Sequence, residues 1–388
     1  MNTLHQSPTD PDFVQNPYPF YEAARGAGPF FRWQDYDLIC TGNAAATHGI
    51  FRDRRFGRES PEPLAIPAHL APFYAVEAHS MLELEPPRHT RLRGLVLRAF
   101  TSRRIAALAP EIATLSHQLI DAFPAGEFDL LATFAQKLPV IIIARLLGVP
   151  EDMSGDLLRW SNAMVGMYMA GRDRAAEDRA VAATEAFVAF LRGYIEARRE
   201  KPADDLITHL IAAEADGARL STDELISTCI LLLNAGHEAT VHTIGNGVKT
   251  LLETGTQSAL ANPDPCIEEI LRFDPALHMF TRWIYEDLDL MGQQFRRGDR
   301  VALLLAAANR DPGLWEHPAR FDPAPPPKPH ASFGAGLHFC VGAPLARLEL
   351  QFALPILFQR LPHLHLTEPP LYADVYHFHG LRRLMVAR

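Results

Sequence analysis

The residues best placed to do chemistry lie in one short loop, 333–342, with the sequence FGAGLHFCVG, just ahead of a helical pattern. Glycine at 334 and 336 permits a tight turn, and Gly342 leaves room for a bulky group beside the sulfur of Cys340. A cysteine at a helix N-terminus has its thiolate favoured by the helix dipole and by free backbone N–H groups. Cys340 is therefore a candidate metal ligand. A nucleophile and a buried thiol are the alternatives, and zinc is not expected because no second cysteine lies at ligand spacing.

A second candidate region lies in a long apolar stretch that begins at Ser221, where Ser221 and Glu224 have the spacing of a capping box. If this helix reaches Thr254 it spans roughly 50 Å, at about 1.5 Å per residue, and must cross the core. Midway along it stands the sequence AGHEAT, 235–240, in which Ala235, Gly236 and Ala239 share one face. A flat ligand could approach this face closely. A helix–helix crossing packed through small residues is the alternative.

The elements that would position these residues are mostly helices. Leucine, alanine and isoleucine recur at three- and four-residue spacing in 104–122, 128–147, 177–199, 204–214 and 343–361. Short β-rich segments occur at 30–40, 281–291 and 300–305, the last two separated by a turn near Gly292 and Gly298. The pattern predicts a mainly α fold with a minor β portion.

Composition limits the class of protein. The chain has 388 residues, 48% of them hydrophobic and 21% charged, without a Gly/Ser linker, so we expect one globular domain over 1–388. The net charge of −9 argues against nucleic acid as a partner. No apolar run at the amino terminus has the length of a signal peptide or membrane span, which predicts a cytoplasmic protein. The other cysteines, Cys40, Cys229 and Cys266, are far apart and are expected to be buried thiols.

The loop around Cys340 resembles the haem-binding signature of cytochromes P450, Phe-x-x-Gly-x-(His or Arg)-x-Cys-x-Gly, and matches every defining position from Phe333 to Gly342. This resemblance extends over roughly residues 15–388 and implies the cytochrome P450 fold, with the long central helix over the haem. Glu269 and Arg272 resemble the Glu-x-x-Arg pair of that family. Arg320 resembles the third partner of the same buried charge network.

The resemblance also implies a set of haem contacts. Cys340 would hold the iron of haem b, and Phe333 and Gly342 would complete the loop. The two haem propionates need cationic or hydrogen-bonding partners. Residues that resemble the propionate partners of the family are His89, Arg93, Arg282 and His338.

The activity implied is monooxygenation, in which dioxygen, two electrons and two protons oxidise a C–H bond of a bound substrate. Glu238 resembles the acid that delivers protons. Ala239 departs from the family, which has threonine there, and the adjacent Thr240 should point about 100° away. Either water or the substrate supplies the missing hydroxyl, or the enzyme couples poorly or uses peroxide. A non-catalytic haem protein is a further alternative.

Electrons would come from a ferredoxin and its reductase, because no segment resembles a flavin or iron–sulfur domain. We expect a monomer that acts on a medium-sized hydrophobic molecule, such as a terpenoid, aromatic, steroid or polyketide. Residues that match substrate-bordering positions of the family are Leu232, Ala235, His278, Met279, His377 and Phe378. The two histidines among them are candidates for binding a polar group of the substrate, and hydrogen bonding to backbone is the alternative.

Overall fold

The computed structural model of the chain describes residues 1–169, 172–213, 217 and 219–388. The α-helices are α1 Pro11–Gln15, α2 Tyr18–Gly26, α3 Ala44–Ile50, α4 Ala71–Glu77, α5 Arg88–Ala99, α6 Ser102–Ala107, α7 Ala109–Asp121, α8 Lys137–Leu147, α9 Ser154–Val165, α10 Arg174–Glu200, α11 Leu206–Ala212, α12 Thr222–Thr254, α13 Pro263–Phe273, α14 Leu305–Ala308 and α15 Ala343–Arg360. The strands are β1 Asn2–Leu4, β2 Phe31–Trp33, β3 Leu38–Thr41, β4 Phe56–Gly57, β5 Phe128–Asp129, β6 Met279–Ile284, β7 Leu288–Leu290, β8 Gln293–Phe295, β9 Arg300–Leu304, β10 His365–Leu366, β11 Leu371–Tyr372, β12 Leu381–Arg383 and β13 Met385–Ala387.

Helix α12 is the predicted central helix. The Ser221 hydroxyl accepts a hydrogen bond from the N–H of Glu224, and the Glu224 carboxylate accepts one from the N–H of Ser221, so the capping box is confirmed. The helix ends at Thr254, because Gly255 follows in the left-handed conformation with φ 66°. Helices α8, α9 and α13 pack along it. Its middle therefore runs through the core, as its apolar sequence predicts.

Three of the five predicted helical segments correspond to single helices. Their spans are 177–199 within α10, 204–213 around α11 and 343–361 over α15. Residue 214 of the predicted segment 204–214 lies outside the described residues.

The other two predicted helical segments are interrupted. The segment 104–122 divides into α6 and α7 at Leu108, two residues before Pro110, which opens the second helix. The segment 128–147 begins with strand β5 and a π-helical stretch, Leu131–Ala135, before α8. Apolar periodicity alone does not distinguish these short pieces from one continuous helix.

The β portion is small and sits at one side of the helices. One sheet has the order β1-β2-β3-β9-β6-β4, in which β6 and β9 run antiparallel and Arg282 pairs with Val301. The predicted segment 30–40 is a hairpin of β2 and β3, and β6 begins at Met279, two residues before the predicted start. Within the described residues, no helix combines the length and apolarity needed to cross a membrane.

Candidate active site

Backbone geometry at two glycines shapes the loop that carries Cys340. Gly334 and Gly336 have φ of 65° and 70°, and a side chain at 336 would collide with the backbone oxygen of Phe51. The N–H of Cys340 donates to the carbonyl of Phe333 at 3.0 Å and closes the loop. The glycine requirement predicted at positions 334 and 336 is therefore met by positive φ at both.

The Cys340 thiol lies at the start of α15, where the backbone N–H groups of Gly342 and Ala343 donate to it. Burial is the largest influence and raises the pKa of Cys340, whereas these N–H groups and the guanidinium of Arg93 lower it. Without a bound cation the thiol is thus protonated near neutral pH. A metal ion coordinated by the sulfur would remove that proton outright. A side chain at 342 would make only an ordinary 3.8 Å contact with the sulfur.

His89 and His338 lie beside this loop with their ring centroids 4.4 Å apart. Nε2 of His338 is 2.9 Å from Oε1 of Glu85. His89 is only 1% exposed, yet neither of its ring nitrogens has a hydrogen-bond partner in the structure. Burial, followed by the charges of His338 and Arg93, lowers the pKa of His89 to about 4, so its ring is neutral. A buried imidazole with two unpaired nitrogens calls for a polar ligand.

The two arginines predicted to contact propionates are placed differently. Arg93 is half-exposed and donates to the carbonyl of Phe339 at 2.7 Å. Arg282 is 4% exposed, donates to the carbonyl of Thr281 at 2.8 Å and lies over the ring of Phe51. No carboxylate of the described residues lies within ion-pair distance of Arg282, and burial lowers its pKa to about 9. Such a guanidinium fits an anionic ligand group, because an unpaired buried cation is costly.

The middle of α12 presents small, accessible residues inside the core. Ala235 is exposed and Ala239 is half-exposed, although Leu233 and Thr240 next to them are buried. Gly236 does not belong to this open face. A side chain at 236 would press on Ile143 of α8 at 3.1 Å. Close packing of two helices, the alternative given for this sequence, therefore accounts for the glycine.

Glu238 lies on the adjacent face of α12 between two histidines. Its Oε2 is 3.6 Å from Nε2 of His242, and its Oε1 is 3.9 Å from Nε2 of His237. Turning the amide of Asn162 lets its nitrogen donate to Oε1. Burial raises the pKa of Glu238 to about 7 and lowers the pKa of both histidines to about 4. The carboxyl can thus gain or lose a proton near neutral pH, as a general acid requires.

The hydroxyl groups near Ala239 are already engaged. Thr240 donates to the carbonyl of Gly236 at 3.5 Å, and Thr243 donates to the carbonyl of Ala239 at 2.7 Å. The expectation that Thr240 points away from the accessible face agrees with its burial at 4% exposure.

The Glu269–Arg272 pair forms a buried network behind the loop. All five guanidinium donors of Arg272 are used: two meet the carboxylate of Glu269 at 2.6 and 2.7 Å, and the others reach three carbonyls. These carbonyls belong to Asn309, Pro318 and Arg320. The side chain of Arg320, by contrast, is 71% exposed. The prediction that its guanidinium completes the network is contradicted, because only its carbonyl takes part.

Two residues predicted to border the substrate are placed elsewhere. Met279 packs in an aromatic cluster with Tyr21 and Trp33, and Nδ1 of His278 is 2.8 Å from the hydroxyl of Tyr21. Met279 and the next residue, Phe280, alternate across β6, so it is Phe280 that points toward Phe51 near the Cys340 loop. His278 precedes the strand and is held by its contact with Tyr21. Both residues, which were predicted to border the substrate, therefore lie in this aromatic cluster instead.

The remaining predicted substrate residues lie around α12 and the carboxyl-terminal turn. Leu232 is buried at 7% exposure, and Phe378 approaches His242 with ring centroids 6.3 Å apart. His377 is half-buried, and its pKa is lowered to about 4 by burial and then by the charge of Arg58.

Sequence reasoning missed a polar group of residues near His377. Arg58 pairs with Glu83, lies over the ring of Phe280 and donates to the carbonyl of Leu82 at 3.1 Å. The hydroxyl of Tyr168 donates to Oε2 of Glu77 at 3.0 Å. Burial raises the pKa of Glu77 to about 7. These residues carry no local motif, so no sequence signal could have brought them together.

Comparison with known proteins identifies the family. A family model described as Cytochrome P450 matches residues 257–373. The chain is 34% identical to the biotin biosynthesis cytochrome P450 of Bacillus subtilis (strain 168), over 99% of both chains. It is 37% identical to the cytochrome P450 monooxygenase PikC of Streptomyces venezuelae, over 92% of this chain and 87% of PikC. A crystal structure of P450BioI in complex with acyl carrier protein ligated to hexadec-9Z-enoic acid superposes with a TM-score of 0.91 at 34% identity, covering 97% and 99% of the two chains.

The helix-rich fold and the cysteine loop thus belong to a haem-thiolate monooxygenase. The chain is a member of the cytochrome P450 family. It is an oxidoreductase of the monooxygenase type, which uses dioxygen and two electrons from a redox partner. The buried imidazole of His89 and the guanidinium of Arg282, which has no carboxylate partner among the described residues, fit anionic propionates, and the N–H groups at the Cys340 sulfur fit a thiolate iron ligand.

Proposed function

We propose that the chain binds haem b, with Cys340 as the iron ligand, and hydroxylates or otherwise oxidises a hydrophobic small molecule. The observation that carries this proposal is the loop geometry: two positive-φ glycines hold Cys340 at the start of α15, with two backbone N–H groups directed at its sulfur. When bound, the haem supplies the activation of dioxygen, and the thiolate promotes O–O cleavage.

The chain's own residues would bind the cofactor and transfer protons. Arg282 and His89 would bind the propionates, so that Arg282 gains an anionic partner beside its bond to the Thr281 carbonyl and His89 gains its first hydrogen-bond partner. His338 and Arg93 would also contact the propionates, His338 after turning away from Glu85 and Arg93 after turning away from the carbonyl of Phe339. Glu238 exchanges protons with its surroundings, since burial places its pKa at about 7.

Electrons arrive from a ferredoxin that is served by its reductase. Arg98, Arg103 and Arg104 line one shared surface depression, and together they offer a positive patch on an otherwise acidic protein. Arg347 is less available, because it pairs with Glu268 at 2.5 Å and lies over the ring of Phe333. Salt should therefore slow electron transfer, and charge reversal at the first three positions should slow it more than reversal at 347. The protein acts as a cytoplasmic monomer.

The substrate is mostly apolar and has one polar group. The accessible face at Ala235 and Ala239 suits a hydrocarbon frame, whereas His377 and its neighbour Arg58 offer polar contacts. The P450BioI complex supports including fatty acyl chains, both free and attached to acyl carrier protein, among the compounds to screen. Terpenoids, steroids, macrolides and aromatics complete the panel. The readout is the shift of the haem spectrum that accompanies displacement of water by substrate.

The test of the proposed ligand is the carbon monoxide spectrum of the reduced protein. The wild type should show the thiolate-type band, and Cys340→Ala should lose it while a control, Cys266→Ala, keeps it. Cys266 is fully buried in the core, so the control also reports whether loss of a buried thiol disturbs folding. A thiolate-type band that persists in Cys340→Ala refutes the ligand assignment.

A further inference from the structure

A second cluster of ligand-type side chains lies apart from the Cys340 loop. Asp274 follows the end of α13, His278 directly precedes β6, and His379 lies in the turn before β12. They are 4%, 0% and 4% exposed, respectively. One carboxylate oxygen and one ring nitrogen from each histidine lie within 4.8 Å of one another. We call these three residues the Asp-His-His cluster.

Tyrosines around the cluster fix its side chains. Tyr21 donates its hydroxyl proton to Tyr376 at 2.9 Å, so it accepts from Nδ1–H of His278 at 2.8 Å. This tautomer leaves Nε2 of His278 with a free lone pair and no hydrogen-bond partner among the described residues. Tyr18 donates to Oδ1 of Asp274 at 2.7 Å, and Tyr372 donates to Oδ2. Metal-ligating histidines and carboxylates typically have such outer hydrogen-bond partners.

The inner atoms of both histidines lack partners. Nε2 of His278 and Nε2 of His379 are buried and have no hydrogen bond within the described part of the chain, and the latter lies 3.6 Å from Oδ1 of Asp274, beyond hydrogen-bond distance. Imidazole binds a metal ion through a ring nitrogen that carries no proton. Two unpaired buried nitrogens facing one carboxylate require an explanation.

We propose that the Asp-His-His cluster binds a divalent transition metal ion, with Zn²⁺ the expected occupant. Two imidazole nitrogens and one carboxylate oxygen favour zinc over calcium or magnesium, which prefer oxygen ligands. A tetrahedral zinc ion at about 2.0–2.2 Å from each ligand would draw the three atoms to roughly 3.3 Å of one another, and a water would be its fourth ligand. This metal site is separate from the Cys340 loop and takes no part in the monooxygenase reaction.

The role of this ion would be structural. It would join three segments that meet only in the folded chain: the end of α13, the start of β6 and the carboxyl-terminal turn. The guanidinium of Arg310 lies 3.3 Å over the ring centroid of Tyr18 and adds positive charge nearby. Its charge opposes that of the metal ion. The ligands are buried, so the ion should enter during folding.

The experiment measures metals in the haem-loaded protein after growth with added zinc and exhaustive dialysis. The expected result is about one zinc per iron in the wild type. Zinc content should fall at least tenfold in His379→Gln and in Asp274→Asn. The matched control is His377→Gln, which removes a histidine from the same turn but outside the cluster and should keep its zinc. The iron content and circular dichroism of each variant report whether it has folded.

X-ray absorption at the zinc edge identifies the ligands. Nitrogen and oxygen scatterers with two imidazoles are expected, whereas a sulfur scatterer would mean that zinc has occupied Cys340 and would overturn the proposal. A wild type that retains less than about a tenth of a metal per iron would also overturn it. So would zinc retained equally in folded His379→Gln, and in either case the cluster would be a polar network in which Asp274 and the two histidines share protons. A failed carbon monoxide test of Cys340 would leave these outcomes unaffected.

Discussion

The Glu269–Arg272 network allows a sharp test, because family resemblance and the structure assign different importance to Arg320. Glu269→Gln removes one charge of the buried pair. The carboxylate of Glu269 accepts two bonds from Arg272 and one from the N–H of Asp322. Glutamine offers a single acceptor oxygen, and its amide N–H₂ would face the guanidinium donors. Arg272, only 2% exposed, would keep its charge without a counter-ion.

The expected loss of folding stability is large for Glu269→Gln and small for Arg320→Ala. Removing one partner of a buried ion pair costs about 3–5 kcal/mol, equivalent to a change of roughly two to three and a half powers of ten in the unfolding equilibrium. Arg320→Ala keeps the carbonyl that accepts from Arg272 and deletes a side chain that is 71% exposed. Its cost should stay within about 0.5 kcal/mol.

The assay is urea and thermal unfolding of both haem-loaded variants, followed by circular dichroism and haem absorbance. Glu269→Gln should lower the Tm by about 4–6 °C, and Arg320→Ala should leave it nearly unchanged. Arg272→Lys is a third variant, which keeps the charge but loses the planar fork that meets both carboxylate oxygens. Equal losses in Glu269→Gln and Arg320→Ala would refute the reasoning, because the exposed guanidinium would then be part of the network.

Three further predictions concern the site. Ala239→Thr should raise the product formed per NADH consumed and lower peroxide release; unchanged values would mean that a hydroxyl at 239 is not what limits coupling. Glu238→Gln should become more stable relative to the wild type as pH rises from 4.5 to 7, by up to about 3 kcal/mol. The reason is that the folded wild-type carboxyl, with its pKa of about 7, holds a proton that the unfolded chain loses near 4.5. Urea titrations across that pH range measure the difference in stability, and a difference that does not change with pH contradicts the raised pKa of Glu238. Arg282→Met should bind haem at least tenfold more weakly while the haem-free protein is as stable as the wild type or more so, since an unpaired buried cation has been removed; haem transfer to apomyoglobin and unfolding of the apo-protein provide the two readouts.

Local sequence signals predicted the elements that depend on local chemistry. The capping box at Ser221 predicted the start of α12, since cap residues act on their own helix. The glycines at 334 and 336 have positive φ for a reason that is also local. The prediction of one continuous helix over 128–147 was wrong at its start, because the structure there depends on contacts that are not local. Whether 128–129 is a strand depends on pairing with β13, far away in the sequence.

The sequence predicted the position of site residues well where a motif defines a whole loop. It predicted the orientation of single side chains less well. Cys340 lies in a motif, so its position followed from resemblance. For Arg320 the motif located the residue correctly, but the backbone carbonyl makes the contact and the side chain faces solvent. For Met279 the decisive factor was strand phase, and for His278 it was the contact with the hydroxyl of Tyr21. A shift of one position moves a side chain to the opposite face of a sheet, as Phe280 shows.

The alanine at 239 and the environment of Glu238 together indicate how protons reach the site. Neither nearby threonine can replace the missing hydroxyl, because each donates to a carbonyl one turn back along α12. The acid itself is retained, with a pKa of about 7 and two neutral imidazoles within 3.9 Å. A carboxyl with this pKa can release and regain a proton at little cost, but Glu238 lies about 100° around the helix axis from Ala239, beside the accessible face of Ala235 and Ala239. We infer that an ordered water, or a polar group of the substrate itself, must bridge from Glu238 to that face. A substrate that supplies the bridge would then be oxidised with tighter coupling than an analogue that lacks the polar group.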